Sequence, residues 1–146
     1  MAVRYGKFLA GVFTGLKDKF SPGHSSNAGV RRTREVFLLD EAAAIVAIGT
    51  NLGIGALRGG DVLDYLDISA STASLIGTSF SVGSATNQTK YSAATVGPAA
   101  ASTVRIKFID AVDSAGSEEL FLWTSVGALP TTAGAKMQTD LYYSHK

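Results

Sequence analysis

The stretch RGGDVLDYLDISAS, residues 58–71, carries three acids at even spacing: Asp61, Asp64 and Asp67. On a helix they would share a face and could hold a cation or act as an acid–base group. A strand is the better reading, because two glycines precede the stretch and β-branched and aromatic residues fill it. Side chains alternate along a strand, so Asp64 and Asp67 are predicted to point to opposite faces and cannot converge. Asp61 then belongs to the Gly-Gly-Asp turn and Asp67 to the polar face. Asp64 falls on the face of Val62, Leu66 and Ile68, which predicts a sheet end, a subunit contact or a basic partner.

Other chemistry is poorly supplied. GIGALRGG, residues 53–60, departs from the dinucleotide pattern because Arg58 occupies the third glycine position, and it lacks the Gly-Lys-Ser/Thr of a phosphate loop. It reads as a Gly-rich turn between strands. The two histidines, His24 and His145, lie in a linker-like stretch and at the penultimate position. Neither sits in a nucleophile-elbow or zinc-protease setting. With no cysteine in the chain, disulfides and thiolate metal sites are excluded. NQT at residues 87–89 fits the glycosylation pattern and reads as a polar loop. No catalytic residue, metal site or cofactor is predicted.

The elements that position these residues come from the bulk pattern. The 146 residues suit one domain with an appended arm. Charged residues make up 17%, below the globular norm of about 25%, and glycine is plentiful at 16. Such a composition fits an all-β domain that hides surface against neighbours. The net charge of +1 is unevenly placed. Residues 1–35 hold seven basic against two acidic side chains, and residues 36–146 hold six against ten. A basic arm on a mildly acidic body follows.

Within the arm, Tyr5, Phe8, Leu9, Val12, Phe13, Leu16 and Phe20 recur at helical spacing. Gly6, Gly11 and Gly15 each cost about 1 kcal/mol in a helix interior. The segment is therefore predicted to order only when it packs on something. FLAGVFTGL has a faint signal-peptide look, but KDKF follows it without a small-residue cleavage site. A soluble chain made in the cytoplasm of the cell that expresses it is expected, with no membrane association. Residues 21–29 read as a linker. Arg31, Arg32 and Arg34 then crowd the end of the arm. They could contact nucleic acid, yet no reader motif accompanies them. An arm laid on an acidic neighbour is the preferred reading.

From residue 36 short strands alternate with Gly, Ser, Asn and Pro. Strands are predicted at 35–39, 43–48, 61–69, 79–82, 103–109, 119–125 and 136–143. Val104, Ile106 and Phe108 oppose Thr103, Arg105 and Lys107. Met137, Leu141 and Tyr143 oppose Lys136, Gln138, Asp140 and Tyr142. The fold class is all-β, an antiparallel β-sandwich or jelly-roll-like domain over 36–146, with a partly amphipathic arm over 1–35.

AIVAIGTNLGIGALRGGDVLDYLDIS, TSFSVGSATNQTKY and ELFLWTSVGALPTTAGAKMQTDLYYS together resemble small β-sandwich proteins of tailed-bacteriophage virions, such as capsid decoration or cement proteins and head-fibre components. The likeness lies in glycine placement and strand rhythm over roughly three quarters of the chain. It implies a non-enzymatic virion part on the capsid exterior, commonly a homotrimer, with the major capsid protein as partner. The arm residues named above, from Tyr5 to Phe20 with Arg31, Arg32 and Arg34, are then the expected anchor. A neck or tail component is a variant of this reading. A second class is a host-surface or carbohydrate-binding module, for which Trp123, Tyr65, Tyr91, Tyr142 and Tyr143 would form a sugar platform if they gather on one exposed face, and which weakens if they are buried or lie at subunit contacts.

Overall fold

A computed structural model describes residues 3–5, 31–39, 51–108 and 117–145. Nine strands form among them: β1 (Val3–Tyr5), β2 (Arg31–Leu38), β3 (Asn51–Leu57), β4 (Asp61–Ala70), β5 (Ser79–Gly83), β6 (Ser92–Val96), β7 (Thr103–Lys107), β8 (Glu118–Val126) and β9 (Lys136–His145). They build a five-stranded sheet in the order β1-β3-β8-β5-β6 and a four-stranded sheet in the order β2-β9-β4-β7. All pairings are antiparallel except β1 with β3.

Alternation explains why these segments are strands. In β9, Met137, Thr139, Leu141 and Tyr143 are buried, and the residues between them face outward on β2 and β4. In β7, Ile106 is buried between exposed Arg105 and Lys107. The two inner faces meet in one core. Leu52, Ile54, Leu120, Leu122, Phe80 and Val82 come from the five-stranded sheet, and Leu63, Leu66, Ile68, Met137 and Leu141 from the four-stranded one. Burying a side chain of this size stabilises the fold by roughly 1.5–3 kcal/mol. The predicted sandwich is therefore the observed architecture, the two sheets packing face to face.

Several expectations change in detail. The segment read as a Gly-rich turn is largely β3, flanked by β1 and β8 in the five-stranded sheet. One of its glycines has a packing role: a Cβ on Gly55 would stand 2.9 Å from Leu141 Cδ2 of the opposite sheet, so any side chain there would require Leu141 to shift. Strand β6 was not predicted, because its Ser-Ala-Ala-Thr-Val carries little apolar alternation. The predicted strand 35–39 begins at Arg31, so β2 crosses the expected boundary between arm and body. The predicted strand 43–48 and most of the predicted helical segment lie outside the described residues. Tyr5 ends β1.

Candidate functional site: the outer face of the four-stranded sheet

The outward side chains of β2, β9, β4 and β7 form the most elaborate polar array among the described residues. The register decides its layout. Arg34 pairs with Asp140, Asp140 with Asp67, and Asp67 with Arg105, which puts these four in one row across the sheet. Arg34 donates from Nε and Nη2 to the two Asp140 oxygens at 2.7 and 3.1 Å. Arg105 does the same to Asp67 at 2.7 and 2.8 Å. Each arginine thus grips its carboxylate in a two-pronged, planar fit. Gln138 Nε2 donates to Asp140 at 2.8 Å, and Arg32 Nε stands 3.8 Å from the same carboxylate. The bond to Asp140 raises the Arg34 pKa, and the bond to Asp67 does the same for Arg105.

The next row reads Arg32, Tyr142, Tyr65 and Lys107. Its two tyrosine rings stack at 4.3 Å between centroids with 26° between planes. The Arg105 guanidinium lies 3.9 Å above the Tyr65 ring, which ties the rows together through a cation–π contact. A third contact, Ser69 Oγ to Thr103 Oγ1 at 2.8 Å, continues the polar face.

The three acids do not act together. Asp61 is buried at the start of β4, where its Oδ2 accepts from the Arg58 backbone N–H at 2.9 Å and its own N–H donates to the Arg58 carbonyl at 3.0 Å. This is the predicted turn role. The predicted opposition of Asp64 and Asp67 is overturned. A register shift between Leu63 and Tyr65 inserts an extra residue into β4, and Leu63 and Leu66 are both buried as a result. The bulge leaves Asp64 on the outer side with Asp67, where its Oδ1 accepts from Ser144 Oγ at 3.4 Å. Asp64 and Asp67 thus have separate partners. Among the described residues no three acidic or histidine side chains are grouped to hold a metal ion.

The anchoring residues fall out as follows. Arg31, Arg32 and Arg34 lie in β2 and Tyr5 in β1. Phe8, Leu9, Val12, Phe13, Leu16 and Phe20 lie outside the described residues. The five aromatics named for sugar binding do not gather. Trp123 and Tyr143 are buried. Tyr91 is half-buried and donates to Glu118. Tyr65 and Tyr142 share the outer face. Sequence reasoning missed the role of Asp140. Alternation placed it on the wet face, but only the register sets it between Arg34 and Asp67.

No protein-family model matches this chain, and no curated protein matches it in sequence. Solved structures do. A chain from the capsid of Ralstonia phage GP4 superposes with a TM-score of 0.69 at 17% identity, over 99% of each chain. The fold is one found in phage capsids. A chain from the cyanophage Pam1 capsid asymmetric unit follows at a TM-score of 0.50 and 15% identity, covering 87% of this chain and 92% of that one. At such identities the likeness is one of fold.

Proposed function

We propose that the chain is a non-enzymatic structural virion protein that binds and stabilises the exterior of a phage capsid, in the manner of a decoration or cement protein. The observation that carries this reading is the end-to-end likeness to a chain of a phage capsid structure, which spans 99% of both. The polar face supports it. Its ionic groups are tied to one another in bidentate pairs, which suits a rigid building part. In this reading the partner is the major capsid protein, the chain associates with itself as a homotrimer, and residues 1–35 are the principal anchor. Tyr5, Phe8, Leu9, Val12, Phe13, Leu16 and Phe20 supply its apolar contacts, and Arg31, Arg32 and Arg34 its charge. Synthesis in the host cytoplasm precedes assembly. A neck or tail position is the variant of this role.

The test is co-sedimentation of the full chain with empty capsids, beside a variant carrying Phe8→Ser and Phe13→Ser. These substitutions spare β1 and β2. Loss of the variant from the capsid pellet supports the anchored reading, and equal binding of both proteins removes the arm from it. Failure of the parent chain to bind shells sinks the capsid role.

The stacked pair Tyr65–Tyr142 favours a second reading, a host-surface or carbohydrate-binding module, because two adjacent rings on an outer face can receive a sugar. Glycan binding by the parent chain that is lost on Tyr142→Ala is the outcome that reading requires.

A further inference from the structure

The sandwich has two unlike ends. At one end the β4–β5, β6–β7 and β8–β9 connections lock together. Leu75 N–H donates to the Pro98 carbonyl at 2.8 Å, Ala101 N–H to the Ser71 carbonyl at 2.7 Å, and Thr78 Oγ1 to the Ala128 carbonyl at 2.8 Å. Residues 68–89, 91–104 and 120–135 contain no charged residue, and the exposed Lys136 that opens β9 at this end stands on the four-stranded sheet, paired with Leu38. The other end carries Arg58, Asp61, Lys90, Glu118 and Glu119.

The large apolar side chains exposed among the described residues gather at this end. They are Ile76 at 62%, Val126 at 59%, Val96 at 56% and Leu38 at 38%. Val96 and Val126 both pair with Ser79, which sets them on the same face of three adjacent strands. Ile76 sits in the turn before β5, next to Gly77, whose carbonyl packs against Gly127. Leu38 closes β2 beside Lys136 on the other sheet, so it lies outside the charge-free part of this end. Exposed aliphatic groups on a rigid surface without charge mark a contact region, because the centres of protein interfaces are depleted in charge.

The adjoining edge strand points the same way. Strand β6 ends the five-stranded sheet and holds Ser, Ala, Ala, Thr and Val. It has none of the lysines or prolines that guard exposed edges, whereas β7, an edge of the other sheet, displays Arg105 and Lys107. Its backbone groups can accept another strand.

We propose that the charge-free part of this end, Ile76, Val96 and Val126 continued along β6, is the surface through which copies of the chain associate. The inference rests on the self-association part of the reading above and not on capsid binding. Charge matching selects the occupant. A second copy brings an equally uncharged surface, so no ion loses its water without a partner. A charged partner would pay that desolvation with no compensating pair here.

The experiment measures the mass of the full chain by sedimentation velocity over a concentration series. It compares the parent with Ile76→Glu, Val126→Glu and, at the opposite end, Thr89→Glu. The parent and Thr89→Glu are expected above the 15.1 kDa monomer. Ile76→Glu and Val126→Glu are expected to shift to monomer, with dissociation constants raised roughly tenfold or more by an unpaired buried carboxylate. Circular dichroism and melting identify any variant that misfolds, and Val96→Lys replaces it. A monomeric parent overturns the proposal, as does an unchanged mass in folded Ile76→Glu and Val126→Glu. Unchanged mass with lost co-sedimentation on shells also overturns it, since that end then faces the capsid. Failure of the capsid reading leaves the mass result standing.

Discussion

Asp67 stands directly opposite Asp140 across the β4–β9 pair. Like charges facing each other across strands are destabilising, and the fold answers with an arginine on each outer side, Arg105 on β7 and Arg34 on β2. The two arginines are therefore coupled through the two acids. Arg34→Ala and Arg105→Ala are each expected to lower the urea midpoint modestly. Together they are expected to lower it by more than the sum, because Asp67 then stands unneutralised opposite an Asp140 that keeps only the longer contact to Arg32. High salt should shrink the excess. Additive midpoints at low salt would show that the row is not coupled.

At the charged end, Glu118 accepts from Lys90 Nζ at 2.7 and 2.8 Å and from the Tyr91 hydroxyl. Burial alone would raise the Glu118 pKa, but the bonds from Lys90 and Tyr91 outweigh it and hold the carboxyl below its ordinary 4.5. Burial and then Glu118 raise Tyr91 above 10.0, and the bond to Glu118 raises Lys90 above 10.5. The signs follow from linkage. The Glu118 contribution is present above its unfolded pKa and is lost as pH falls through the depressed folded value. The Tyr91 and Lys90 contributions are present below their unfolded values and are lost as pH rises through the raised ones. Urea midpoints measured across pH should show a plateau between 4.5 and 10.0 with a fall on either side. Glu118→Gln should lower the plateau and flatten both limbs. Limbs identical to those of the parent would exclude the cluster as their source.

Two turn glycines separate backbone strain from collision. Gly127 and Gly134 both have positive φ, at 71° and 72°. A Cβ on Gly134 would meet open space, while one on Gly127 would fall 2.0 Å from the Gly77 carbonyl oxygen. Gly134→Ala is expected to cost about 1–2 kcal/mol, the penalty of the left-handed conformation alone. Gly127→Ala is expected to cost clearly more and to loosen the turn before β5. Chemical denaturation of the pair checks this, and equal losses would remove the collision argument.

Trp123, the single tryptophan, is 1% exposed, and its Nε1 donates to the Ser84 carbonyl at 3.1 Å. It packs edge-on to Phe121 at 6.4 Å, on the side of β8 away from the main core. Its emission should be blue-shifted and shielded from iodide until the fold melts. Trp123→Phe leaves the Ser84 carbonyl without this donor and is expected to cost about 1–3 kcal/mol. Trp123→Ala should cost about 3–5 kcal/mol. A red, readily quenched native emission would contradict this packing.

The sequence by itself determined the class of the fold and the wet and dry sides of its best strands. Alternation is local, so β7 and β9 could be read residue by residue, and Asp140, Tyr142 and Arg105 were legible as outward-facing. The Asp61 turn was legible for the same reason. Tertiary structure decided what alternation cannot carry. One inserted residue at Asp64 reverses the phase of β4, and no periodicity announces it. Gly55 of β3 looks like part of a turn until Leu141 of the opposite sheet is seen to stand where its side chain would go. The partners in the Arg34–Asp140–Asp67–Arg105 row lie 106, 73 and 38 positions apart in the chain. Register between such distant strands is set by packing two sheets around one core, which fixes every cross-strand neighbour at once.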